Sequence, residues 1–474
     1  MKKFVTLILS GWLTSFSPIA GAVLAQTSPP ANPFVPQSYW PEGHGRFAQQ
    51  STRFPAITGR DRLAVDTIAL DGKLRGFTPS GTVYTEPYPS GEYVFWGTNG
   101  SAIYKVVRTP TELTFIPANK TSLGHGRGSG YWAMDRDRTM YFLDSTQDAI
   151  LALGDRDPTD PYSEIVLRDR FDMPRRAWSG GPRLDRFLGI KILYGGDLVF
   201  TTGRGTVGAV SRDFSRFTHV KLGERIRNNP TVDQHDNIYI LTETRLLKFH
   251  WDGDHLREVW SVDAEDSGSA PTLVGVGPQE DRLIAITSGS APMQIVLLWR
   301  DEIPDNWRGL PGYDRRVAAV APVDFGQSDL RTVGATQNSL LVHGYGLFVA
   351  RWNGLFPGLR PMQPGTQKFA WDPRDRVLRS AWVNSEIYMP NSMQAMSQAT
   401  GLIYGIGMRE LDGRRTWGLE GIDWQTGASS FFHPLGPIGD RRYNNNGSGI
   451  QIGPDGEIIT MSMNSVFRIR RQNP

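Results

Sequence analysis

His125 stands between Gly124 and Gly126, and flanking glycines let a substrate come close to a side-chain base. That makes His125 the candidate catalytic residue of the chain. There are 8 histidines, none in a His-x-x-x-His spacing, and His235 and His255 fall in turn sequences. There is no cysteine, which excludes disulfides, thiolate nucleophiles and cysteine-ligated zinc or iron–sulfur centres. No Gly-x-Ser-x-Gly elbow and no Gly-x-x-x-x-Gly-Lys-Ser/Thr loop occurs. Gly126-Arg127-Gly128-Ser129-Gly130 leads into a strand-like run, so it does not read as a phosphate cradle at a helix N-terminus. Met389, Met393 and Met396 offer thioethers for copper(I), and their irregular spacing fits a long insertion equally well. The acids Asp135 and Asp137 alternate across a turn and are expected to face solvent. No metal and no cofactor is assigned by the sequence.

A second set of residues is neutral and polar. Asn229, Ser269, Asn338, Asn384 with Glu386, and Asn446 each precede a β-rich run. If those runs are the inner strands of a ring, the set lies around one mouth of a central channel and would bind a polar ligand. The alternative is that these side chains only satisfy backbone groups where strands begin.

The elements that must position these residues are short. Gly is 52 and Pro is 32 in 474 residues, spread without a strict period, which points to many turns. Trp 14, Tyr 15 and Phe 22 suit pleated, half-buried strands. Residues 231–260 read as four strands joined by short turns, with His235-Asp236-Asn237 and Asp252-Gly253-Asp254 at two of them. The plan recurs from 131, 190, 270, 336 and 448 onward. A repeat of about 40–50 residues with four strands is a propeller blade. The expected fold is all-β: a single β-propeller of seven or eight four-stranded blades over 61–474. The last unit lacks a fourth strand, which Arg62 to Leu70 could supply. Residues 26–60 are rich in Pro, Gln, Ser and Thr and read as an extended arm.

One blade end carries a motif. Gly421-Ile422-Asp423-Trp424-Gln425-Thr426-Gly427, followed by Phe431, resembles the tryptophan-docking repeat of quinoprotein dehydrogenases, Ala-x-Asp-x-x-Thr-Gly with Trp four residues on. Asp423, Thr426 and Gly427 match, Gly421 replaces Ala, and Phe431 replaces Trp. Asp252-Gly253 to Trp260 is a looser echo. The chain is thus similar to the quinoprotein-like superfamily of secreted propellers. The resemblance implies blade style; the adjacent Cys pair of the alcohol-oxidising members is absent, and of their calcium-binding Glu, Asn and Asp set only Glu386 and Asn391 lie close in sequence, two ligands that do not make a calcium site.

The N-terminus points to export. Met1-Lys2-Lys3 is a positive stretch, Phe4 to Leu13 is mostly apolar, and Val23-Leu24-Ala25 ends in small residues before Gln26. The expectation is a signal peptide over 1–25, no transmembrane segment in the mature chain, and a periplasmic or secreted protein. Lys plus Arg is 51 against Asp plus Glu 48. The basic pairs, such as Arg175-Arg176 and Arg414-Arg415, are scattered as solvated loop charges would be, so no nucleic-acid partner is expected. The function expected is binding of a polar small molecule or a protein partner through one mouth of the channel. The competing class is a propeller enzyme, either a metal-dependent hydrolase or lactonase or a quinone-dependent oxidoreductase. Oligomeric state is not assigned.

Overall fold

The computed structural model describes residues 29–36, 51–70, 82–98, 103–118, 131–265, 269–289, 291–330, 333, 336, 338–354, 362–445, 447–462 and 464–472. They form eight blades, each built on a four-stranded antiparallel sheet, and a 3-10 turn lies at Arg175–Ala177. In chain order the blades span 82–117, 133–172, 187–221, 231–263, 272–322, 341–384, 395–437 and 451–471. In most blades the first strand, nearest the axis, is buried and the fourth is the more exposed outer edge, as in Thr231–Val232 against Leu256–Asp263; in blade 5 the fourth strand, Val317–Pro322, is itself mostly buried.

Local chemistry fixes the inner hairpins. In blade 4 the Asp233 carboxylate accepts the backbone N–H of His235 and Asn237, the Asn237 amide and the Tyr239 hydroxyl. Asp236 takes the left-handed conformation (φ 55°) that the tight turn requires. Blade 2 repeats the device: Asp135 accepts Thr139 N–H and the Tyr141 hydroxyl. Asp135 is therefore buried, not solvent-facing as the alternation suggested. Burial pushes its carboxyl up, against the bonds it accepts.

The ring closes through the N-terminal segment. Leu63–Ala69 pairs antiparallel with Ser465–Arg471, from Leu63 opposite Arg471 to Ala69 opposite Ser465, and so becomes the fourth strand of blade 8. Asp66 accepts from both Arg468 and Arg470, and Arg468 continues to the Thr109 carbonyl of blade 1. Arg108 of blade 1 reaches back to Glu457 and Asp455. Ring closure removes the two free sheet ends that a string of blades would otherwise expose.

The rest of the described N-terminal segment lies on the face where inner strands end. Ser51–Thr52 pairs in parallel with Ala395–Ser397 on the axis-facing edge of blade 7. Ala56 and Ile57 are buried between blades 7 and 8, and the Ile57 N–H bonds the Gly456 carbonyl. Farther round, the Asn32 amide donates to the Ile192 carbonyl, and Val35 joins the core between blades 2 and 3.

Candidate functional site

Of the residues singled out, His125 and Asn446 lie outside the described residues. Asn229, Ser269 and Asn338 do precede the inner strands of blades 4, 5 and 6, and all three are buried. Asn384 and Glu386 do not. Asn384 ends Val377–Asn384, the outer strand of blade 6, and Glu386 is exposed beyond it. The mistake is one of strand order: the insertion before blade 7 runs from 385 to 394, so the inner strand starts later, at Ala395.

Around that mouth the side chains bond one blade to the next. The Thr231 hydroxyl donates to the Pro271 carbonyl (2.6 Å), joining blades 4 and 5. Ala270 N–H donates to the Ser339 hydroxyl (3.0 Å), joining 5 and 6. The Asn338 amide donates to the Ser392 carbonyl (3.0 Å), joining 6 and 7. The Asn391 amide donates to Asn444 Oδ1 (2.8 Å), joining 7 and 8. Tyr131, before blade 2, donates to Asn228 Oδ1 before blade 4 (2.9 Å). Ser269 stays within blade 5, sharing a bond with Thr287 (2.8 Å). Each neutral bond is worth about 0.5–1.5 kcal/mol net, so together they hold the strand-start loops in register. The recurring Asn and Ser thus build a collar across blades 4 to 8.

The three methionines divide between cores. Met389 and Met396 pack in the apolar seam of blades 6 and 7, and Met393 packs against the seam of blades 7 and 8. Among the described residues no group of three His, Cys, Asp or Glu is placed to hold a metal ion.

The docking motif is where the sequence said more than it first gave. Trp382, on the outer strand of blade 6, lies over Gly427 of the Asp423–Gly427 turn in blade 7 and donates from its indole to the Trp424 carbonyl (3.1 Å). A Cβ on Gly427 would strike that ring. Asn384 completes the dock, donating to the Gly427 carbonyl (2.9 Å). The echo at Trp260 does the same toward blade 5, donating to the Arg300 carbonyl (3.2 Å). Two buried lysines join these docks: Lys248 reaches the Arg300 carbonyl and Asp301, and Lys368 reaches the Trp424 carbonyl. Both lysines open a Lys-Phe-x-Trp-Asp run, at 248–252 and 368–372. In each run the Trp bonds backward, Trp251 to Asp197 and Trp371 to Asp281, so blades 4 and 6 are stapled on both sides. That repeat is a signal the reading of motifs missed.

Blade 3 carries charged side chains on the strand-start face. The loop 174–186 folds onto the 202–206 turn and the end of the blade's outer strand: Thr206 donates to the Ala177 carbonyl (2.7 Å) and Lys221 to the Trp178 carbonyl (3.0 Å). His219 beneath is held below its ordinary pKa by burial and by Lys221 and Arg176.

No protein-family model matches the chain. Among solved structures, that of Saccharomyces cerevisiae Sqt1 aligns with a TM-score of 0.51 at 7% identity, over 88% of this chain and all of the other. Chaetomium thermophilum Sqt1, bound to the N-terminus of the ribosomal protein L10, aligns with a TM-score of 0.50 at 11% identity, over 86% and 100%. The computationally designed Ika8 protein gives 0.50 at 7% identity, over 84% and 97%. At such identities the likeness is one of propeller fold alone. An uncharacterized protein of Archaeoglobus fulgidus is 32% identical over 478 residues, covering 93% of this chain and 89% of that protein. With that identity sustained along nearly the whole of both chains, this protein belongs to the family of the Archaeoglobus fulgidus protein.

Proposed function

We propose that this chain is an exported recognition propeller that takes a polar small molecule or a protein segment at the mouth where its inner strands start. One observation carries the choice of mouth. Ser51–Thr52 adds to the axis-facing edge of blade 7 at the end of its inner strand, so the chain's own N-terminal segment lines the opposite mouth. The collar of blade-to-blade bonds supports the reading, because a fixed rim loses little conformational freedom when a ligand arrives. Export rests on the residues before Gln26, with cleavage after Ala25.

The absence of cysteine makes the test simple, since single cysteines can be placed and capped with maleimide–polyethylene glycol. Arg227→Cys puts the cap beside Asn228 and Asn229, and Asp137→Cys puts it on the inner-hairpin turn of blade 2, on the opposite face. A panel of neutral sugars, lactones and alcohols is screened by thermal shift. A ligand at 100 times its Kd stabilises by about 2.7 kcal/mol. The expected result is a stabilising compound whose effect survives the cap at 137 and is lost with the cap at 227. The opposite pattern refutes the choice of mouth, and a panel with no stabilising compound removes the small-molecule reading.

A further inference from the structure

Arg175, Arg176, Arg183, Arg186, Arg204 and Arg225 are separated by up to 50 positions in sequence but share one surface of blade 3. The fold brings them there: Gly203 N–H bonds the Arg186 carbonyl (2.9 Å), Ile226 N–H bonds the Gly203 carbonyl (3.3 Å), and Arg204 lies over Gly180 beside Leu184. All six are exposed. Among the described residues, none of them makes an ion pair.

The neighbouring carboxylates are already committed. Asp185 is buried and accepts from Ser179, Arg186 and Arg204 N–H and from the Thr202 hydroxyl. Glu224 is held by Thr242, Thr244 and Arg245, and Glu243 pairs with Arg227. Some exposed arginines elsewhere do find acids, as Arg379 finds Asp372 and Asp375, Arg257 finds Asp252 and Arg442 finds Asp440. A set of unneutralised guanidinium groups repels itself and attracts an anion. The same surface carries Leu184, which at 60% is the most exposed large hydrophobic side chain among the described residues.

We propose that this rim of blade 3 docks an acidic protein segment, a short run of Asp or Glu side chains carrying one apolar residue that rests on Leu184. Guanidinium forks match carboxylates two bonds at a time, which favours arginine over lysine at such a surface. A single-stranded nucleic acid would need exposed rings on which to stack; here Trp178 and Phe187 are buried, and His219, stacked on Phe217, is half-buried. A membrane surface would need a broader apolar face than one leucine offers. The site lies beside the mouth, on the same face, and goes beyond the recognition proposed there.

The test uses the full mature chain and a fluorescein-labelled peptide of nine residues, eight Glu with a central Leu, read by anisotropy at low salt. The triple variant R183E/R186E/R204E should weaken binding by about tenfold or more, and R414E/R415E, at an exposed arginine pair of blade 7, should leave it unchanged. Leu184→Ser should erase the preference for the Leu peptide over one with central Ala. Raising salt to about 0.5 M should weaken the wild-type complex, because the Debye length shortens. Thermal melts of the variants check folding; the substituted arginines make no ion pair among the described residues, so the melts should match the wild type. Equal binding by the triple variant and the wild type overturns the proposal. So does tighter binding, through the same arginines, of an oligo-dT of equal charge or of phosphatidylserine vesicles.

Discussion

Replacing Lys105 by Met should destabilise the ring more than removing the whole pair to which Lys105 belongs. Lys105 Nζ lies 2.5 Å from Asp155 Oδ1, both side chains are fully buried, and the bond joins blade 1 to blade 2. The other carboxylate oxygen of Asp155 accepts the Tyr88 hydroxyl. Met keeps the aliphatic stem and leaves a buried carboxylate with one donor, a loss of about 3–5 kcal/mol. In Lys105→Met/Asp155→Asn no charge is left, the Asn oxygen still accepts from Tyr88, and the cost should fall to about 1–2 kcal/mol. Unfolding entropy near 2.1 cal/mol/K per residue over roughly 400 ordered residues gives about 0.8 kcal/mol/K, so the single change should lower Tm by about 4–6 °C. Calorimetry at neutral pH on the two variants and the wild type reads both numbers. A single variant that melts with the wild type, or a double variant no more stable than the single, refutes the reasoning.

Trp382→Ala should cost about 2–4 kcal/mol in urea unfolding, and Gly427→Ala should also destabilise, since Gly427 has φ 74° and Trp382 fills its Cβ position; wild-type midpoints for both would dismiss the dock. Burial pushes the Lys368 ammonium down to about 8 from its ordinary 10.5, with Asp423 opposing. The unfolded chain therefore holds more protons between those values, and stability should rise with pH across that window by about 3 kcal/mol, a rise absent in Lys368→Met; parallel pH profiles for the two proteins would contradict it. Deleting 26–72 removes the fourth strand of blade 8 and should lower Tm far more than deleting 26–50, which leaves Ser51–Thr52 and Leu63–Ala69 in place; equal melting temperatures would refute closure through Leu63–Ala69. Intact mass of the exported protein should give a chain beginning at Gln26, and a chain beginning at Met1 would sink the export reading.

Much of the architecture was legible because strands and turns announce themselves locally. The blade at 231–263 could be traced from its Asn, Asp and Gly turns, and the missing strand of blade 8 pointed to the segment that pairs with it. Blades 1 and 7 were harder. The hairpin Leu402–Leu411 and Arg414–Asp423 is ten residues a side with glycines inside, so its period is broken where Phe432 lies over Gly418. Outer strands such as Ile165–Asp172 alternate poorly where a β-bulge, here between Leu167 and Asp169, shifts the register. The site was less legible for a different reason. Asn338 and Asn391 look alike as letters, and which blade each one bonds is a matter of three-dimensional neighbours. Of the arginines of blade 3 only Arg175-Arg176 stands out as a pair in sequence, and nothing in sequence spacing tells that 175, 204 and 225 share a surface.

The central claim is that recognition occurs at the mouth where inner strands start. A crystal structure soaked with the most stabilising compound of the screened panel tests it most directly. The account predicts ligand density inside the collar formed by Asn228, Asn338 and Asn391, with Ser51–Thr52 still paired to Ala395–Ser397. Density at the opposite mouth, with Ser51–Thr52 displaced from blade 7, would contradict it.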